Sequence, residues 1–167
     1  MTINLSSWLV WIPLLPLLGS IFNGLVGRRL PRWVVRWVAC GVMGVAALIS
    51  ALCLLTIAHL PPEYRISQDV FDWFSVGDLQ VHFRLAVDRL SAVMLNVVTW
   101  VGFLIHVYSV GYMAHDKSYS RYFTYLNLFA ASMLILVLGD DLVVMFVGWE
   151  GVGLCSYLFI GFWFEDL

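Results

Sequence analysis

Apolar residues dominate the chain in long blocks, and short polar stretches separate the blocks. A membrane-crossing helix needs roughly 20 mostly apolar residues, and five segments meet or approach that length: about Ser7 to Val26, Trp33 to Leu60, Leu85 to Met113, Arg121 to Leu138 and Leu142 to Trp163. Pro13 and Pro16 fall in the first, where neighbouring helices can re-satisfy freed backbone groups. Arg36 lies near enough to one end of the second to snorkel toward water. One polar stretch has a different rhythm. "LQVHFRL", Leu79 to Leu85, alternates apolar and polar residues with period two, and "VFDWFSV" precedes it across Gly77-Asp78, a pair suited to a tight hairpin turn. The pattern predicts an all-α, polytopic membrane helix bundle of about five transmembrane helices, with a short β-hairpin in the loop after the second.

Composition sharpens this picture. Of 167 residues, 62% are hydrophobic and 12% charged, about half the charge of a typical soluble domain. A soluble fold of this size has too little interior for so much apolar surface, so the lipid bilayer is the expected partner. The formal charge of −2 gives no footprint for nucleic acid. Cys40, Cys53 and Cys155 are odd in number, lack CxxC spacing and fall in apolar runs, which fits buried small hydrophobes. The start, "MTINLSSWLVWIPLLPLLGS", lacks a basic region and a small-x-small cleavage site, so it reads as a retained first span. The Asn4-Leu5-Ser6 sequon reads as chance.

The loops set an orientation. Arg28, Arg29, Arg32 and Arg36 cluster around the first loop, and Lys117 and Arg121 face Asp116 around the third. The loop from Pro61 to Arg84 carries Glu63, Asp69, Asp72 and Asp78 against Arg65 and Arg84. The positive-inside rule then places the first and third loops in the cytoplasm, the amino terminus outside and Leu167 inside. Asp140 and Asp141, in the short fourth connection, are placed to cap the fifth helix and meet its positive dipole end. Asp88 and Arg89 suit capping and snorkelling at the start of the third.

Glu150 is the anomaly. It stands eight residues after Leu142, about 12 Å into the bilayer at about 1.5 Å per residue. An acidic side chain at such depth costs about 2.5 to 3.5 kcal/mol on insertion scales. Such a residue needs a partner or a water-filled cavity. Two readings are open: a hydrogen-bonding tie between helices, or a proton-binding carboxylate. In the second, a cation brought to about 4 Å is worth about 4 kcal/mol at an effective dielectric near 20, enough to decide whether the proton is held. Gly148, Gly151, Gly153, Cys155 and Ser156 are small and permit close helix approach. Asn96, Thr99 and His106 share one face of the third helix; His106 suits either a proton relay or an interhelical hydrogen bond. Thr124 and Asn127 form a smaller polar stripe on the fourth. Lys117, the single lysine, lies in a loop, so this sequence offers no intramembrane lysine to Glu150.

The stretch "GWEGVGLCSYL", with "VDRLSAVMLNVVTWVGFLIHVYSVGYM" and "YSRYFTYLNLFAASMLILVLGDDL" before it, resembles the antiporter-like chain L family of proton-pumping NADH:quinone oxidoreductase, respiratory complex I. The resemblance is strong from about Val87 to Trp163 and weaker over the first sixty residues. Related chains of complex I and of multisubunit sodium/proton antiporters share the glutamate without this continuation. The resemblance implies that Glu150 matches the family's essential glutamate on helix five, coupled to a lysine on helix seven. It implies residues 1–113 as an N-terminal three-helix region and 114–167 as the start of the proton-translocating domain. It implies no redox centre here: NADH, FMN, iron–sulfur clusters and quinone would be bound by other subunits. Other complex I membrane subunits become the expected partners, and the bacterial inner membrane the expected site. Family members are several times longer, and this sequence stops after helix five at "FEDL", so a truncated reading frame, a split gene product or a fragment is expected. Asp141 departs from an expected asparagine. The alternatives are a sodium/proton antiporter subunit, and a non-functional or assembly-only membrane remnant.

Overall fold

A computed structural model describes residues 2–4, 8–61, 63–76 and 79–163. The order is β1 (Thr2–Asn4), α1 (Trp11–Leu25), a 3-10 turn (Gly27–Arg29), α2 (Arg32–Ala58), β2 (Arg65–Val76), β3 (Leu79–Val87), α3 (Arg89–Tyr112), α4 (Tyr119–Leu138) and α5 (Leu142–Ile160). The chain is a helical membrane bundle with a hairpin. Four helices, α2 to α5, are long and apolar enough to cross a membrane. Helix α1 has 15 residues and is shorter than the span expected from Ser7, because a turn over residues 8–10 precedes it.

Helix α4 is the hub and packs against the other four helices, while α5 packs against α4 and β3. The outward faces carry Leu48, Leu52, Leu55, Leu104, Tyr108 and Ile160, all exposed. Lipid is the solvent those side chains fit. Small residues and satisfied polar groups line the helix contacts, as they must when lipid removes the hydrophobic drive between helices. Ser50 Oγ of α2 lies 2.7 Å from Thr99 Oγ1 of α3, and Asn96 Nδ2 donates to the Ser50 carbonyl at 2.9 Å. The polar stripe on α3 is therefore spent on two neighbours: Asn96 and Thr99 on α2, and His106 on α4.

The third span begins later than hydropathy suggests. Leu85 to Val87 belong to β3, and α3 starts at Arg89 with Asp88 as its N-cap, accepting from the Ser91 amide at 2.6 Å. Apolar content carried the boundary too far, because an amphipathic strand ran straight into a helix. The hairpin is longer than expected at its first strand. β2 pairs antiparallel with β3, and β1 joins β2 in parallel, so the sheet has three strands. Two bulges interrupt β2, between Asp69 and Phe71 and between Asp72 and Phe74. Ile66, Leu85 and Val87 are buried and join Leu9, Ile57, Leu95, Leu134 and Leu138 in one core at that end of the bundle. Phe71, Trp73 and Phe74 project outward, with Phe71 stacked on Phe83 at 5.1 Å. The Gly77-Asp78 turn and Leu5 and Ser6 of the sequon lie outside the described residues.

The connections alternate between ends. At one end, Arg32 beside the first loop donates to the carbonyls of Ala114 and Asp116 in the third. At the opposite end, Arg65 of the hairpin binds Asp140 in the α4–α5 connection at 3.0 Å. Arg28, Arg29, Arg32, Arg36, Lys117 and Arg121 thus gather at one end.

Candidate functional site on helix α5

Three sets of contacts fix the rotation of α5 about its axis, and so decide where Glu150 points. At its start, Asp141 accepts from the Val143 amide at 2.8 Å and caps the helix. Asp140 does not share that task. Its carboxylate pairs with Arg65 at 3.0 Å and lies 3.9 Å from Arg84, and its amide donates to the Arg84 carbonyl at 3.1 Å. The cap needed only one side chain, and the two hairpin arginines claimed the other. The hairpin thereby holds the α4–α5 connection in place.

In the middle, two glycines press on α4. A Cβ on Gly148 would lie 2.5 Å from the Leu136 amide nitrogen, and one on Gly151 would lie 2.5 Å from Ser132 Oγ. Val144, Gly148 and Cys155 are buried on this face. At the far end, Arg121 donates to the Phe162 carbonyl at 2.9 Å and stacks 4.8 Å over the Phe162 ring. The Trp163 indole donates to Asp116 Oδ2 at 3.0 Å. That bond, with another from the Ser118 amide, holds the Asp116 carboxyl below the usual carboxylate range.

With these contacts set, the 3.6-residue repeat fixes the rest. Glu150 stands about 160° around the helix from Gly148, on the side turned away from α4. It is exposed and makes no hydrogen bond or ion pair with any described residue. Its neighbours on that side are Phe146, Leu154 and Tyr157, all exposed. Gly153 lies there too, and a Cβ on it would meet nothing within 4 Å. The glycines that surround Glu150 in sequence therefore serve opposite sides of one helix.

His106 occupies the opposite kind of place. It is 1% exposed, with Nδ1 2.7 Å from the Gly102 carbonyl and Nε2 2.8 Å from Asn127 Oδ1. The carbonyl takes a proton on Nδ1, so a neutral ring needs a donor opposite Nε2. Asn127 supplies one when its carboxamide presents Nδ2; with Oδ1 presented instead, Nδ2 is buried without a partner. Helix α4 stands between His106 and Glu150, and no hydrogen bond joins them. Sequence reasoning placed His106 on a polar face of the third helix and Asn127 in a polar stripe on the fourth, but did not pair them. Among the described residues, no group of three or more His, Cys, Asp or Glu is placed to hold a metal ion.

Comparison with known proteins adds a family. A sequence model described as the N-terminus of chain 5 of NADH-ubiquinone oxidoreductase (complex I) matches residues 73–123. NADH-quinone oxidoreductase subunit L of Escherichia coli (strain K12) is 47% identical over 153 residues, which is 92% of this chain and 25% of that protein. The subunit L of Mycobacterium tuberculosis (strain ATCC 25618 / H37Rv) is 45% identical over 167 residues, 99% of this chain and 26% of that protein. Among solved structures, the Mrp complex from Dietzia sp. DQ12-45-1b matches with a TM-score of 0.70 and 30% identity, over 90% of this chain and 15% of that one. The chain spans about a quarter of the length of the curated relatives it matches. Over nearly its whole length, the chain resembles the N-terminal part of subunit L of NADH-quinone oxidoreductase.

Proposed function

We propose that this chain forms the N-terminal part of a membrane subunit of proton-translocating NADH:quinone oxidoreductase, with Glu150 as a proton-binding carboxylate. The carrying observation is the outward, unpaired position of Glu150 on a helix whose other side is locked to α4. A carboxylate at that depth facing lipid is costly. The cost is offset when another part of the machine brings a cation or a hydrated cavity against this side of α5. The resemblance supplies that group as a lysine on helix seven, which this sequence does not contain. Residues 1–113 then serve as the N-terminal three-helix region, and 114–167 begin the translocating domain. The redox cofactors belong to other subunits, and the other membrane subunits are the partners. The same reading puts the chain in the bacterial inner membrane, with the amino terminus outside and the arginine-rich end in the cytoplasm.

His106 serves in this reading to tie α3 to α4 through Asn127 and keep α4 straight behind α5. A sodium/proton antiporter subunit is the second reading, favoured by the likeness to the Mrp complex. The higher identity to subunit L favours the first. Substitution Glu150→Gln in the intact complex tests the proposal. NADH oxidation coupled to proton pumping should fall about tenfold or more with the complex still assembled, and undiminished pumping would overturn the role of Glu150.

A further inference from the structure

A second polar site lies at the arginine-rich end of the bundle, away from Glu150 and independent of its role. There the ends of α1 and the 3-10 turn meet the starts of α2 and α4 around a crevice of about 500 Å³, many times the ~30 Å³ share of one water. Arg28, Arg32, Lys117 and Arg121 line it, and among the described residues no acidic side chain does. Asp116, an acid close enough to feel the charges of Arg121 and Arg32, accepts from the Trp163 indole and the Ser118 amide. The four cations are held in two ways. Arg32 and Arg121 are braced by backbone carbonyls of the third loop and of Phe162. Arg28 and Lys117 are exposed and make no bond to any described residue.

Two further features shape the crevice. Ser118 stands at the N-cap of α4 and makes no side-chain cap bond, so the positive end of the α4 dipole opens on the same space as the cations. Asn23, fully buried, lines the crevice with an Oδ1 that has no hydrogen-bond partner. The site therefore offers positive charge for an anion and, beside it, a buried acceptor for a hydroxyl or ammonium donor. Outside the crevice lining, the last turn of α1 exposes Phe22, Leu25 and Val26 on its outward side, an apolar flank at the level where helix ends meet lipid headgroups.

We propose that this crevice binds the phosphate of an anionic, hydroxyl-bearing phospholipid headgroup, such as that of phosphatidylglycerol, with the headgroup hydroxyl on Asn23. The phosphate lies against Arg28, Lys117 and the α4 N-terminus, and the acyl chains run along Phe22 and Leu25. Basic pockets between helix ends bind such headgroups through the same chemistry. Free inorganic phosphate shares the anion chemistry but has no use for the apolar flank.

The test uses the intact complex containing the full chain, in vesicles doped with photoactivatable phosphatidylglycerol, with labelled peptides mapped by mass spectrometry. Labelling is expected within residues 22–32 and 117–125. It should drop about tenfold or more in the double variant Arg28→Ala, Lys117→Ala, whose residues hold nothing together. The charge-conserving pair Arg28→Lys, Lys117→Arg should retain it. Unlabelled phosphatidylglycerol should compete, and phosphatidylcholine should not. Competition by millimolar inorganic phosphate as strong as that by the lipid would keep the anion site but overturn its assignment to a lipid. Unchanged labelling in the alanine pair, loss in the charge-conserving pair, or equal competition by phosphatidylcholine would overturn the site.

Discussion

The two sides of α5 carry similar residues for different ends. On the inner side, Gly148 and Gly151 exist because α4 is there: a single added carbon would meet the Leu136 backbone or the Ser132 hydroxyl at 2.5 Å. On the outer side, Gly153 has open space before it, and Glu150 has no described partner. Close packing accounts for the first pair and not for the second. His106 completes the contrast. A buried polar side chain satisfied within its own bundle is structural by default, whereas an intramembrane carboxylate without a partner points to a group outside the chain.

Four substitutions probe that comparison. The largest effect is expected from Gly148→Val, where rigid backbone must move to admit the side chain. It should cost about 3 kcal/mol, read as a lower midpoint in detergent unfolding. Asn127→Leu comes next. It strands the buried His106 nitrogen and should cost about 1 to 3 kcal/mol, with no change in the accessibility of Glu150 to carboxyl-reactive reagents. Asp88→Ala removes the α3 cap for about 1 kcal/mol. The Ser91 amide holds the Asp88 carboxyl below its usual range. Its contribution is thus present above the unfolded value near ~4 and lost as pH falls through the folded one. Unfolding midpoints of the wild type and Asp88→Ala should converge in acid and separate toward neutrality. Gly153→Ala is the smallest, within about 0.5 kcal/mol for the chain itself. If the outer side of α5 receives a helix, it should still lower the yield of assembled complex, whereas Gly148→Val should lower both.

Much of this architecture was legible in the sequence, and the gaps have physical causes. The helices announced themselves because lipid demands long apolar runs with internally bonded backbones. The hairpin announced itself through period-two alternation, although the reach of its first strand back to Arg65 and its bulges did not, since a bulge breaks the alternation that reveals a strand. Ala86 and Val87 were read as helix because hydropathy does not distinguish a buried strand from a membrane helix over a few residues. The pairing of Asp140 with Arg65 was hidden because it joins residues 75 apart, and no local rule reports such contacts. Glu150 was visible at once as a charge in a greasy helix. Its direction was not, because glycines on both sides of α5 left no apolar stripe to mark the inner face.

The central claim is that Glu150 takes up and releases a proton. Infrared difference spectroscopy of the assembled complex during NADH oxidation tests it most directly. The account predicts a protonated-carboxyl band that changes with turnover and is absent from Glu150→Gln. Identical difference spectra from the wild type and Glu150→Gln would contradict it.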